Sequence, residues 1–195
     1  MLITAQLCSQ VIPLNDTLRS PALQSWELTE ARWEQVRSYE GRYSIETPGT
    51  FVQALDTVET AIGTLVYHTH FFQPTAALAE NVLYMISYCD YPEGALHSDS
   101  TELVQELFAA TEEEAATTVG GEKLYASDVT LAGYPGRIWR IDYRNGNATI
   151  RTRAYVVGRR YYAVQAISRG ELRLNSSSDR FLDSFRVFEM SERKE

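Results

Sequence analysis

His68-Thr69-His70 is the spacing in this sequence best placed to do chemistry. Two residues apart in a strand, both imidazoles project from one sheet face, where a third ligand would complete a zinc or copper site. The remaining donors are His97, Cys89 and Asp90. No CxxC pair and no local acidic ligand set accompanies them, so hydrogen-bonded or half-exposed strand histidines are expected, and no metal. Cys89 with His97 would make a thiolate pair, but Cys89 closes an apolar run in which a buried, inert thiol is expected. Serine is plentiful without a G-x-S-x-G elbow to expose it. Gly120-Gly121 and the Gly133 to Gly136 segment are followed by strands, not helices, which makes them turns instead of phosphate loops. Asp179 and Asp183, one helical turn apart, read as solvated or arginine-paired groups. No catalytic residue, no cofactor and no enzymatic activity are predicted.

The elements that position these residues belong to an ordinary globular chain: 195 residues, 44% hydrophobic and 23% charged. One core is the economical count at this length. The expected boundaries are an N-terminal extension over 1–32, a single domain over 33–189 and a polar tail over 190–195. The net charge of -8 conceals an asymmetry. Residues 1–134 carry 5 basic and 19 acidic side chains, residues 135–195 carry 13 and 7, and 16 of the 18 cations are Arg. The halves should therefore neutralise each other, and a pI of about 5.0 argues against nucleic acid as a partner. No stretch reaches the ~18 apolar residues of a membrane span. The start lacks a basic n-region and a lipobox before Cys8, so as written the chain is expected to be cytoplasmic, and exported or peripheral to a membrane if its true start lies upstream. Cys8 and Cys89 permit one disulfide and demand none.

Residues 9–25 read as an irregular lead-in, and 26–38 as a helix or irregular segment that Ser25 could cap. Strands are expected over about 42–47, 62–72 and 81–88, the last two joined by a hairpin loop over Gln73 to Glu80. Asp99-Ser100-Thr101-Glu102 has the form of a capping box and opens a helix over 100–119, whose Glu112-Glu113-Glu114 run is expected to be solvated. The stretch 136–168 reads as a three-stranded antiparallel meander. A turn at Asn145-Gly146 pairs Ile141 with Ile150, and one at Gly158-Arg159 pairs Ala154 with Ala163. The C-terminal Phe181, Leu182 and Phe185 lie on one side of a short capped helix, followed by an edge strand from Arg186 and a fraying tail over Ser191 to Glu195. The expected fold is α+β: about six to seven mainly antiparallel strands flanked by helices.

The meander's registers put Trp139, Ile141, Tyr143, Ala148 and Ile150 on one apolar face. The other face receives Arg140, Arg151, Arg153, Tyr155 and Tyr162, with Asp142, Thr149 and Val164. Arg140 and Arg151 fall side by side, a like-charge pair that an acid must relieve. Either a helix, such as that around Glu112 to Glu114, is salt-bridged over this face, or the arginines and tyrosines form an exposed stripe that meets an acidic protein partner or an anionic ligand. The five named residues are the partner-binding candidates. The alternatives are a small-molecule or metal cleft near His68 and His70 that also draws on Arg153, and a homodimer formed through an uncovered sheet face.

Several segments together resemble a known family. They are Glu40-Gly41-Arg42-Tyr43-Ser44-Ile45 with Pro48-Gly49, Tyr88 to Pro92, Leu131 to Arg137, Arg153 to Gly158 with Arg160 to Tyr162, and Arg180 to Phe185. They are similar to small bacterial proteins of the PsbP-like superfamily, common in cyanobacteria and planctomycetes, over about residues 33–189. The resemblance implies an antiparallel sheet with helices on both sides and a non-catalytic binding or assembly role. One branch of the superfamily serves the lumenal side of photosystem II, and another of similar fold binds a nuclear transport GTPase. A protein-binding accessory factor associated with a photosynthetic membrane complex is therefore the expected function.

Overall fold

Turn chemistry sets the order of the strands. The computed structural model describes residues 32–76 and 79–188. Its strands are β1 (Glu34–Ser38), β2 (Tyr43–Thr47), β3 (Val52–Thr60), β4 (Gly63–Phe72), β5 (Asn81–Asp90), β6 (Glu122–Leu131), β7 (Tyr134–Tyr143), β8 (Ala148–Val157), β9 (Arg160–Arg169) and β10 (Arg186–Val187). The helices are α1 (Thr101–Val119) and α2 (Ser176–Asp183). Seven strands form one antiparallel sheet in the order β3-β4-β5-β9-β8-β7-β6, and β1-β2-β10 form a second, three-stranded one. The class is α+β, as expected.

The meander has the predicted registers, Ile141 opposite Ile150 and Ala154 opposite Ala163. In the first of its turns the left-handed conformation begins at Arg144 and continues through Asn145 and Gly146, and the pairing of Tyr143 with Ala148 keeps the reversal centred between Asn145 and Gly146. Three strands go beyond the expectation. Residues 34–38 are β1, held as a strand by five pairs to β2, where a helix or irregular segment was expected. The strands β3 and β6 extend the large sheet at its two ends. The lead-in over 9–25, Cys8 with any disulfide it makes, the start of the expected helix at 26 and the tail over 191–195 lie outside the described residues.

Each face of the large sheet has its own core. On one, α1 and the loop carrying Tyr91 and Leu96 cover Leu65, Met85, Trp139, Ile150 and Val156. On the other, α2 and β2 cover Tyr84, Ile86, Tyr155, Tyr162 and Val164 with Tyr43, Ile45, Phe181 and Phe185. Helix α1 does not start with the capping box: Ser100 is the N-cap, with no side-chain cap bond, and the Ser100 carbonyl accepts from the Val104 amide. Its Glu112 is also not solvated. It is fully buried, accepting from Lys123 Nζ at 2.7 Å and from Arg137 Nε. The reason is register. Glu112 lies on the same side of α1 as Phe108 and Ala115, and that side faces β6 and β7, where the two cations project.

Candidate functional site

The arginine and tyrosine face is roofed by α2, whereas α1 lies on the opposite side of the sheet. Asp179 and Asp183, one turn apart, span about 6 Å of helix, and alternate residues of a strand span about 6.7 Å. The two spacings match: Arg151 pairs with Asp179 at 2.7 Å and Arg153 with Asp183. Arg140 is held by both oxygens of Asp142, at 2.8 and 2.6 Å, and Asp142 also accepts from Thr149. The like-charge neighbours Arg140 and Arg151 are thus each neutralised by a different acid. Burial pushes Asp142 up, but the Arg140 and Thr149 hydrogen bonds outweigh it and hold its carboxyl below the usual aspartate range.

Tyr155 and Tyr162 are 3% and 1% exposed. Tyr155 stacks on Phe185, and Tyr162 donates to the Gly41 carbonyl at 2.7 Å, so desolvation raises both phenols. The structure brings the five candidates to one face as the registers required, but turns that face inward. While α2 is docked, the tyrosine rings offer nothing to a partner, and the arginines present guanidiniums already matched to carboxylates. Charge asymmetry is resolved the same way elsewhere, through Arg160 with Asp90, Arg137 with Asp128, and Arg180 with Glu46.

The histidines share a face, as their spacing requires, and each has its own partners. The His68 ring stacks on Tyr88 at 4.7 Å, with Nδ1 3.4 Å from Glu40. His70 is buried, with Tyr43 Oη against Nδ1. Burial and the neighbouring His68 lower the His70 pKa, and burial raises that of Tyr43 strongly, so both groups are held in their neutral forms. Burial, reinforced by Glu40, pushes Tyr88 up to about 12. Cys89 is buried on the opposite face of β5, and His97 faces Asp99 at 3.3 Å, so neither joins the pair. Arg153 is turned to Asp183 and is not part of the cleft that His70 lines. Among the described residues no group of three or more His, Cys, Asp or Glu could hold a metal, and no helix is long and apolar enough to cross a membrane.

The surface the sequence reading passed over is the β3 edge. Val52 to Thr60 pair with β4 in nine consecutive positions without a bulge, and among the described residues no strand pairs with the other side. Leu55 is 70% exposed and Val52 57%. The opposite edge, β6, is interrupted by a register shift between Lys123 and Tyr125, one of the devices that discourage strand pairing. The signal for β3 was its Val52, Ala54, Val58 alternation and the β-branched Thr57, Val58 and Thr60, broken by Asp56.

No family model matches this chain, and no curated protein matches it significantly.

Proposed function

We propose that this protein is a non-catalytic binding or assembly module that receives an extended segment of a partner protein along β3. The observation that carries the reading is the nine-residue edge in unbroken register, with Val52 and Leu55 exposed on it. Unpaired strand edges template the addition of another strand, in which main-chain hydrogen bonds give affinity and alternate side chains give specificity. The partner's charge follows from composition. No Lys or Arg occurs between Arg42 and Lys123, and β3 itself carries Asp56 and Glu59. An added strand bearing Lys or Arg is therefore favoured over the acidic partner that an open arginine face would draw, and over a second copy, which would bring two acid-only edges together. The resemblance to PsbP-like proteins supports the same reading, with a partner that belongs to a membrane complex.

The test is photo-cross-linking in the native host from a diazirine amino acid at position 55, with position 125 on the opposite edge as the control. A discrete cross-linked protein from 55, absent from 125 and lost on adding Val52→Lys, is expected. Equal yields from both edges, or none from 55, overturn the proposal.

A further inference from the structure

Between Asp142 and Asp179 the sequence carries seven arginines and a single acid, Glu171. Arg151, Arg153 and Arg160 are matched to Asp179, Asp183 and Asp90. Arg144, Arg169 and Arg173 are instead exposed at one corner of the large sheet, where β7 turns into β8 and β9 leads towards α2. The two segments form one surface. The Gly170 amide donates to the Asn147 carbonyl at 2.8 Å, and a Cβ at Gly170 would lie 1.9 Å from the Gly146 carbonyl oxygen, so only glycine lets the β7–β8 turn lie against the 170–174 segment. At the segment's far end the buried Asn175 donates from Nδ2 to the Leu172 carbonyl at 2.7 Å. Held at both ends, the segment leaves two apolar side chains outside the core: Leu172 is 37% and Leu174 73% exposed, one on each side of Arg173.

The chemistry of this corner selects its partner. Three arginines against Glu171 leave it net positive, since the nearby Asp142 is already held by Arg140 and Thr149. Guanidiniums match phosphate oxygens in bidentate geometry, while leucine tips between them suit the acyl boundary just below a layer of headgroups. A short segment and one turn are small against the ~800 Å² that a stable protein interface takes from each side, and a second copy seated on the same corner would bring like charges together. The acidic first half of the chain does not cancel the attraction, because exposed charges more than about 8 Å away are largely screened at physiological ionic strength. We infer that this corner is a membrane-docking surface, which seats Leu172 and Leu174 in an anionic lipid bilayer with Arg144, Arg169 and Arg173 on the headgroups. It does not rest on strand addition at β3, from which β4 and β5 separate β9.

Sedimentation of the full chain with lipid vesicles tests it. Binding is expected to vesicles of phosphatidylcholine with about 30% phosphatidylserine, with at least tenfold less to phosphatidylcholine alone, and release is expected on raising NaCl from about 0.1 M to about 1 M, which shortens the Debye length from about 10 Å to about 3 Å. Leu172→Ser combined with Leu174→Ser should weaken partitioning at least tenfold, and Arg173→Gln about fivefold. All three side chains are exposed, so the Tm of both variants should match that of the parent chain. No sedimentation with the anionic vesicles, equal binding to the neutral ones, or a leucine variant that binds as tightly as the parent overturns the inference. So does self-association in analytical ultracentrifugation that the leucine variant abolishes, which would assign the corner to a second copy.

Discussion

Replacing Glu112 with Ala should cost far more than a substitution in a run of three glutamates on a helix surface. The magnitude follows from what each cation can do afterwards. Lys123 is 40% exposed and rehydrates readily, so its share is that of a half-exposed pair, about 0.5 kcal/mol. Arg137 is only 22% exposed and loses its bond to a buried carboxylate, a charge-assisted interaction of about 1.5–3 kcal/mol. It keeps Asp128 at 2.9 Å and Gln105 at 3.1 Å, which places the cost below that of orphaning a buried ion outright. The void adds a little, giving about 2–4 kcal/mol, or a fall in Tm of roughly 5–15 °C for a chain of this size. Urea unfolding at neutral pH, with calorimetry for Tm, measures both. Glu112→Gln, which keeps the volume and an acceptor, should lose about half as much. Glu112→Leu combined with Arg137→Leu should recover much of the Ala deficit, since a stranded cation dominates it. A loss below about 1 kcal/mol for Glu112→Ala would refute the assignment of this carboxylate as the clamp joining α1 to β6 and β7.

Four further outcomes follow from the geometry. His70 is held below its ordinary 6.5 by burial and His68, so between that value and its folded pKa the unfolded chain binds more protons; stability should be complete above pH 6.5 and decline below it, and His70→Gln should flatten that limb in pH-dependent denaturation. Asp142 is held below its usual 3.8, so its contribution is complete above that pH and lost as pH falls through the folded value; Asp142→Asn should remove that acid limb and cost about 1–2 kcal/mol at pH 7. Arg151→Glu should loosen α2 by about 1 kcal/mol and Asp179→Arg should restore it, a double-mutant cycle in which strict additivity would deny the contact. Leu55→Lys should change stability by less than about 0.5 kcal/mol, because the side chain is solvated, while abolishing cross-linking at a neighbouring β3 position.

Much of the large sheet was legible because its information is local. The turns at 144–147 and 158–159 carry Asn145-Gly146 and Gly158, residues suited to the left-handed backbone they adopt, and once a turn is fixed, period-2 alternation assigns each side chain to a face. That is why the register of β7, β8 and β9, and the common face of Arg140, Arg151, Arg153, Tyr155 and Tyr162, followed from the residues alone. The same logic placed His68 and His70 together. β1 was missed because its helical-looking Trp33 and Val36 spacing carries no sign of the β2 partner that makes it a strand. β3 was missed because Asp56 interrupts its apolar alternation.

By itself, then, the sequence determined the α+β class, the meander's register, the opposite-charge balance of its two halves and which residues share a face. Only the tertiary structure decided which face water reaches. Alternation cannot distinguish a side chain turned to solvent from one turned to a helix 30 residues away. Asp179 and Asp183 on α2, matching the strand spacing of Arg151 and Arg153, close the arginine face. The burial of Glu112, the cleft beside His70 and the β3 edge, which no strand among the described residues covers, depend likewise on contacts between segments far apart in the chain. Such contacts are set by packing and electrostatics summed over the whole molecule and leave no local period to read.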